Sequence, residues 1–287
     1  MYRRSVITDE ISQDLDVVLE VSRAFALDGL EIRSIWDTRV DRLDRNAIQK
    51  LRTAAQANRL AIVGVAPPFY KCDVDDPTER REHLEILRRA IDVGQRLGTS
   101  LVRTFTFWRK YPLADVWDRL LDSYAEPLEI ASAAGATLAI ENEFACQIGT
   151  GAELGRFVSA LGHQRAAALW DPCNAFFDGA GEPPFPNGYN AVRGQVAHVH
   201  LKDATRSGVG GEPVLTALGD GEVDVAGQLA ALVRDGYTGY VSLETHWRPN
   251  KLHPATVRLP GGKAFSDQAA AATITCLTNW NAIMRKG

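Results

Sequence analysis

Short apolar runs alternate with longer amphipathic runs along the 287-residue chain. Eight apolar or β-branched runs, each ending in polar residues, predict strands. They lie near residues 5–9, 29–36, 60–66, 100–107, 137–143, 166–172, 196–202 and 239–246. The runs between them predict helices, for example over 77–98 and 113–135, and several end in Gly, which suits a left-handed C-terminal cap. A short helix near 190–195 and a long one over 265–286 complete the set.

Eight strand–helix units in one chain of this length predict a (β/α)8 TIM barrel, an α/β fold formed by a single domain over residues 1–287. A doubly wound open sheet is the alternative, but no GxGxxG motif follows the first strand. The two longest loops, 175–190 and 204–222, follow the sixth and seventh strands. In a barrel both loops lie at the carboxyl ends of the strands, where active sites are built.

The amino-acid composition and charge disfavour several classes of function. The net charge of −4 and a pI near 5.9 provide no overall basic field for a nucleic acid. The four cysteines are far apart and form no CxxC pair, which disfavours a disulfide framework or a zinc ribbon. No apolar stretch has the length of a signal peptide or a membrane span. We therefore expect a cytoplasmic protein with reduced thiols and no nucleic-acid or membrane partner.

Ionisable residues cluster where the predicted strands end. They are Asp9, Glu10, Glu31, Arg33, Arg103, Glu141, Glu143, Asp171, His198, His200, Lys202, Asp203, Glu244 and His246. Carboxylates converging from the fifth, sixth and eighth strands repel one another unless a cation lies among them. A set of three carboxylates and one imidazole suits Mn²⁺, with Mg²⁺, Co²⁺ or Zn²⁺ as alternatives. The set predicted as metal ligands is Glu141, Asp171, His200 and Glu244. His198 has the same strand parity as His200 but is predicted to lie deeper, as a supporting residue.

Five segments in order, "LAIENE", "LWDPCN", "HVHLKD", "LGDGEVD" and "VSLETH", resemble the signature segments of the xylose-isomerase-like TIM-barrel superfamily. The resemblance covers essentially the whole chain. That superfamily holds sugar isomerases, ketose 3-epimerases, inosose dehydratases and isomerases, and endonuclease IV. The resemblance implies the same four metal ligands that the strand-end chemistry suggests, and it is compatible with a homo-oligomer.

Similarity to the ketose 3-epimerases implies a function in carbohydrate metabolism. The chain is expected to be a divalent-metal-dependent isomerase or epimerase of a sugar- or cyclitol-like hydroxy-ketone. Glu141 and Glu244 would be the catalytic pair, one removing and the other returning a proton on opposite faces of the carbon beside the carbonyl. The metal would stabilise the enediolate as a Lewis acid. The predicted substrate-binding residues are Lys202, Arg206, His246, Asn174, Glu31 and Trp108.

Other activities stay open at this point. Arg206 matches the ketose 3-epimerase pattern, but Gln147 stands where those enzymes have a glutamate and Asn174 where they have a histidine. A metal-dependent dehydratase of an inosose or keto-sugar, which uses the same enediolate, is therefore the main alternative. An endonuclease IV-like hydrolase is disfavoured, because the third and fourth strands end in "GVAPPFY" and "RTFTFW" without histidine. A non-catalytic sugar-binding barrel would not require both Glu141 and Glu244.

Overall fold

A computed structural model describes residues 1–178, 183–207, 211–250 and 261–286. Eight parallel strands form a closed barrel in which neighbours along the chain are neighbours in the sheet, so the predicted fold class is confirmed. The strands are β1 (Arg3–Ile7), β2 (Gly29–Ile32), β3 (Ala61–Val65), β4 (Leu101–Thr104), β5 (Thr137–Glu141), β6 (Ala166–Trp170), β7 (Val196–Leu201) and β8 (Tyr240–Leu243). All eight fall within the runs that predicted them, apart from the first two residues of β1.

Helices follow the strands as the amphipathic runs predict. They are α1 (Leu15–Ala24), α2 (Arg45–Ala57), α3 (Pro77–Leu97), α4 (Leu113–Ser123), α5 (Ala125–Ala134), α6 (Gly151–Leu161), α7 (Pro172–Phe177), α8 (Tyr189–Val192), α9 (Val225–Arg234) and α10 (Ala269–Lys286). The prediction of one helix over 113–135 was wrong, because α4 and α5 meet at Tyr124. Pro127 in the first turn of α5 has no N–H to donate, and the Tyr70 hydroxyl donates instead to the carbonyl of Ser123 at 2.7 Å. None of the described helices has the length and apolarity to cross a membrane.

The chain divides by its internal contacts into two compact units. The terminal unit comprises Met1–Val63 and Val199–Gly287, and the central unit comprises Gly64–His198. In the terminal unit β1 pairs with β2 and with β8, and the hydroxyls of Ser5 and Ser242 lie 2.8 Å apart on neighbouring strands. In the central unit β5 pairs with β4 and β6. In β5, Leu138, Ala139 and Ile140 form a continuous buried apolar run, as in parallel strands covered on both faces.

The strands end sooner than predicted, so the ionisable residues lie at or just beyond their carboxyl ends. Asp9 and Glu10 lie in a 3₁₀ turn, Thr8–Glu10, directly after β1. Glu141 is the last residue of β5, whereas Asp171 follows β6 as the N-cap of α7. Glu244 directly follows β8. Each of these carboxylates is buried, although burial of charge is costly without partners.

Candidate active site

Two asparagines in the central unit position Glu141 and Asp171. The side chain of Asn142 donates to the carbonyl of Asp171 at 2.8 Å and accepts from its N–H at 2.9 Å. The side-chain amide of Asn174 donates to Glu141 Oε1 at 3.2 Å and to the carbonyl of Asn142 at 2.8 Å. The backbone N–H of Asn174 donates to Asp171 Oδ1 at 2.9 Å. Asn174, predicted to bind substrate, therefore contacts both Glu141 and Asp171.

A buried guanidinium lies beside Glu141, and the sequence did not reveal this contact. Arg103, near the end of β4, has its Nη1 atom 3.4 Å from Glu141 Oε2, and it donates to the carbonyl of Ala66 at 3.3 Å. Its Cζ atom is also 4.8 Å from the centroid of the Phe105 ring, within the range of a cation–π contact. Arg103 thus supplies positive charge to a carboxylate that burial would otherwise disfavour.

Basic side chains surround Glu244 in the terminal unit. Lys202 Nζ lies 2.7 Å from Oε2, Arg33 Nη1 lies 2.6 Å from Oε1, and His246 Nε2 lies 3.5 Å from Oε1. Burial alone would raise the pKa of Glu244, but Lys202, His246 and His200 together hold that pKa well below its usual range. Lys202 and His246, both predicted to bind substrate, therefore lie directly against this glutamate.

His200 at the end of β7 is held between two carboxylates. Its Nε2 atom lies 3.0 and 3.1 Å from the two carboxylate oxygens of Glu31, and its Nδ1 atom lies 3.4 Å from Glu244 Oε2. All three side chains are almost completely buried. Glu31, predicted to bind substrate, therefore contacts the imidazole of the predicted ligand histidine.

Glu10 and Asp9 form further ion pairs in the terminal unit. Glu10 accepts from Arg33 at 2.9 Å and from Arg248 at 3.2 Å, and its Oε1 is 3.1 Å from His246 Nε2. Burial opposes ionisation of Glu10, but His246 and Arg248 lower its pKa far below the usual range. Asp9 pairs with Arg33 at 3.0 Å, yet burial raises the pKa of Asp9 above its ordinary value. Arg33 thus joins three carboxylates, and its pKa rises accordingly.

Side chains in each unit have the composition of a metal site. In the terminal unit, Glu10, Glu244 and His246 each offer a ligand atom within 4.8 Å of those of the other two, and His200 lies beside Glu244. In the central unit, the carboxylates of Glu141 and Asp171 both contact Asn174. Carboxylates together with an imidazole form a donor set that fits a hard or borderline divalent cation. The buried acidic and histidine side chains could therefore hold a metal ion.

Two further predicted residues lie outside the barrel strands. Trp108 is 38% exposed, and Lys71 Nζ lies 5.8 Å from its ring centroid. Arg206 lies on an antiparallel ribbon formed by Asp203–Arg206 and Pro213–Thr216, where it is partly exposed and its backbone N–H donates to Glu222 at 3.2 Å. Contact of these two side chains with a substrate therefore stays a prediction.

Asp203 organises the loop that follows β7. Its carboxylate accepts from the backbone N–H groups of Gly219, Gly221, Val223 and Ala204 at 2.8 to 3.2 Å. A Cβ atom on Gly221 would lie 2.2 Å from Asp203 Oδ1, so glycine is required at this position. The segments "HVHLKD" and "LGDGEVD" are therefore joined through one carboxylate.

The closed parallel barrel with charged side chains at its strand ends defines the class of protein, and similarity to known proteins is consistent with it. Residues 19–270 match the family model of the xylose isomerase-like TIM barrel, so the chain belongs to that family. The rhizopine catabolism protein MocC of Rhizobium meliloti is 29% identical over 71% of this chain and 68% of its own length.

Two other similar proteins extend the comparison. The L-ribulose-5-phosphate 3-epimerase UlaE of Escherichia coli is 27% identical over 83% of this chain and 84% of its own length. A crystal structure of the IolI protein with a bound zinc atom superposes with a TM-score of 0.72 at 16% identity, covering 97% of this chain and 99% of that one. The relatives thus include a sugar epimerase, which supports an enzyme.

Proposed function

We propose that the chain is a divalent-metal-dependent isomerase or epimerase of a sugar- or cyclitol-like hydroxy-ketone. One observation carries the proposal: the expected ligands are completely or almost completely buried at the strand ends, with Glu141 and Asp171 in the central unit and His200 and Glu244 in the terminal unit. Their donor set fits Mn²⁺ best, with Mg²⁺, Co²⁺ or Zn²⁺ as alternatives. Similarity to UlaE and to the zinc-containing IolI protein supports it.

In this proposal the cation, when bound, supplies Lewis-acid stabilisation of the negative charge that develops on the substrate oxygens. Glu141 and Glu244 exchange the proton of the carbon beside the carbonyl, one carboxylate removing it and the other returning one. Asn174, at 3.2 Å, orients Glu141. Lys202, at 2.7 Å, orients Glu244 and keeps it ionised. Protonation of the planar enediolate on the face opposite to that of removal inverts the carbon.

The proposal is tested by solvent exchange. The purified chain loaded with Mn²⁺ is incubated in D₂O with a panel of ketoses, inososes and keto-glycosides, and deuterium beside the carbonyl is followed by NMR. We expect exchange with at least one compound and its loss in both Glu141→Gln and Glu244→Gln. Elemental analysis should show about one metal per chain for the four-ligand site, and less in Asp171→Asn. Catalysis without any deuterium incorporation, or full metal retention in Asp171→Asn, would contradict the proposal.

A dehydratase is the second candidate, and the surroundings of Glu244 favour it specifically. Loss of water from a hydroxy-ketone requires a base for the C–H proton and an acid for the departing hydroxyl. His246 Nε2 lies 3.5 Å from Glu244 Oε1 and 20% of its side chain is exposed, so an imidazole stands beside the proposed base. Mass spectrometry separates the two activities, because elimination lowers the substrate mass by one water and epimerisation leaves it unchanged.

A further inference from the structure

A partly exposed ion pair with two aromatic neighbours lies in the central unit. Lys71 Nζ is 2.7 Å from Glu143 Oε2, 4.2 Å from the ring centroid of Phe105 and 5.8 Å from that of Trp108. The side chains of Lys71 and Glu143 are 27% and 12% exposed, and Trp108 is 38% exposed. An ammonium, a carboxylate and an indole therefore remain accessible to a ligand.

This ion pair is connected to Glu141 through one aromatic ring. The guanidinium of Arg103 lies 4.8 Å from the same Phe105 ring that Lys71 contacts. The Nη1 atom of that guanidinium is 3.4 Å from Glu141 Oε2. Glu143 also follows Glu141 by two residues, a separation that extended chain spans in about 7 Å. A small polyol that reaches both positions would place its reacting carbon beside Glu141 and its distal carbons at Lys71 and Glu143.

Five cations near the strand ends, all within the described residues, each lie beside a carboxylate, and two of them share Glu244. The pairs are Lys71–Glu143 at 2.7 Å, Arg103–Glu141 at 3.4 Å and Arg109–Asp178 at 2.6 Å in the central unit, and Lys202–Glu244 at 2.7 Å and Arg33–Glu244 at 2.6 Å in the terminal unit. Recognition of a phosphate needs positive charge that is not already compensated. A paired ammonium and carboxylate instead offers one donor and one acceptor, which suits the hydroxyl groups of a neutral polyol.

We propose that Lys71, Glu143 and Trp108 bind the hydroxyl-bearing end of a neutral polyhydroxy ketone, and that they select against phosphorylated ketoses. This inference rests on the proposed function and specifies its substrate class. The carboxylate of Glu143 accepts from one hydroxyl, the ammonium of Lys71 donates to another, and the C–H face of the substrate packs on Trp108. A phosphoryl group at the same position gains little net attraction, because Glu143 at 2.7 Å already compensates the charge of Lys71 and itself repels the phosphate.

Calorimetry on the Mn²⁺-loaded chain tests this with two matched pairs of probes: L-ribulose with L-ribulose 5-phosphate, and D-fructose with D-fructose 6-phosphate. We expect at least one free ketose to bind about tenfold more tightly than its phosphorylated partner, as loss of one charge-assisted contact implies. Glu143→Gln should reduce or reverse this ratio, and Lys71→Met should weaken binding of the free ketose about tenfold. Glu126→Gln, which removes an exposed ion-pair partner of Arg88 on the outer surface of the same unit, is the matched control and should change neither affinity.

Tighter binding of the phosphorylated member of each pair would overturn the inference, and so would an unchanged ratio in Glu143→Gln. Absence of binding by all four compounds would overturn it as well. If a variant melts earlier than the native chain, the conservative Lys71→Arg replaces it, and we expect it to retain the preference for the free ketose. Failure of the proposed function has a different signature: the free ketose binds with the expected preference, but no deuterium enters beside its carbonyl.

Discussion

Replacing Glu31 by glutamine should weaken Mn²⁺ binding although Glu31 is not among the proposed ligands. Both oxygens of Glu31 lie within 3.1 Å of His200 Nε2. An ionised carboxylate can only accept a hydrogen bond, so Glu31 in that form favours a proton on Nε2. In the neutral imidazole this leaves the lone pair on Nδ1, the nitrogen that lies 3.4 Å from Glu244 Oε2. Glu31 thus selects the tautomer that can bind a cation on the side of Glu244.

The magnitude follows from how completely this contact is buried. Glu31 is 1% exposed and His200 is fully buried, so water does not replace the lost acceptor. The side-chain amide introduced by Glu31→Gln would present either an oxygen or an NH₂ group to Nε2, and the NH₂ group would favour the wrong tautomer. Loss of such a carboxylate behind a ligand histidine lowers metal affinity by roughly 10–100-fold, or about 1.4–2.8 kcal/mol.

The assay is electron paramagnetic resonance of free aqueous Mn²⁺ during titration of the metal-free chain. Glu126→Gln is the matched control, because it makes the same change at an exposed ion pair with Arg88, and its Mn²⁺ affinity should stay near that of the native chain. Affinity in Glu31→Gln within about twofold of native, well below the range expected for such a contact, would refute the reasoning. Far-UV circular dichroism shows whether the variant keeps its fold.

Three other properties can be predicted from the described contacts. Asp203→Ala should lower the free energy of unfolding by about 3 kcal/mol, because four backbone N–H groups lose their acceptor; urea titration checks this, and Asp203→Asn, which keeps one oxygen, should lose less. Burial raises the pKa of Cys72 to about 12, and all four cysteines are buried, so a thiol reagent at about pH 8 should label the native chain only as fast as it unfolds; a rapid labelling phase would contradict this. Burial opposes ionisation of Glu10, but His246 and Arg248 lower its pKa. The stabilising contribution of the ionised Glu10 carboxylate is therefore present above the ordinary glutamate pKa of about 4.3. It is lost as the pH falls toward the pKa that Glu10 has in the native chain. Stability of the metal-free native chain should therefore fall more steeply between about pH 5 and 3 than that of Glu10→Gln, and parallel curves would exclude this role.

The barrel was predictable because the hydrophobic pattern of each segment agrees with its place in the fold. Buried parallel strands require continuous apolar runs, and such runs separated by amphipathic helices have few other arrangements. The break between α4 and α5 was not predictable in the same way, since the amphipathic pattern continues through Pro127. What makes the break tolerable is the hydroxyl of Tyr70, which lies 53 residues before the carbonyl it contacts. Contacts of that separation leave no periodicity in the sequence.

The candidate site was likewise predictable only in part. Its carboxylates and His200 could be listed from the sequence because charge at the end of a buried strand is unusual. Their counter-charges could not be assigned, since Arg33 and Glu244 are 211 residues apart along the chain. The same holds for the placement of Lys71 beside Glu143. Glu31 and Asn174 were predicted to bind substrate, and only the structure reveals that they contact His200, Glu141 and Asp171.

The segment "HVHLKD" explains why neighbouring residues take such different roles. Alternation along β7 gives His198, His200 and Lys202 one parity, while Val199 and Leu201 have the other and are completely buried. Lys202 keeps that parity just past the strand and reaches Glu244. Asp203 begins the ribbon, so its carboxylate turns to the loop at 219–223. A single inserted residue between His200 and Lys202 would reverse the parity of everything after it and separate the ammonium from Glu244. The spacing of this segment is therefore as much a requirement of the site as its residue types.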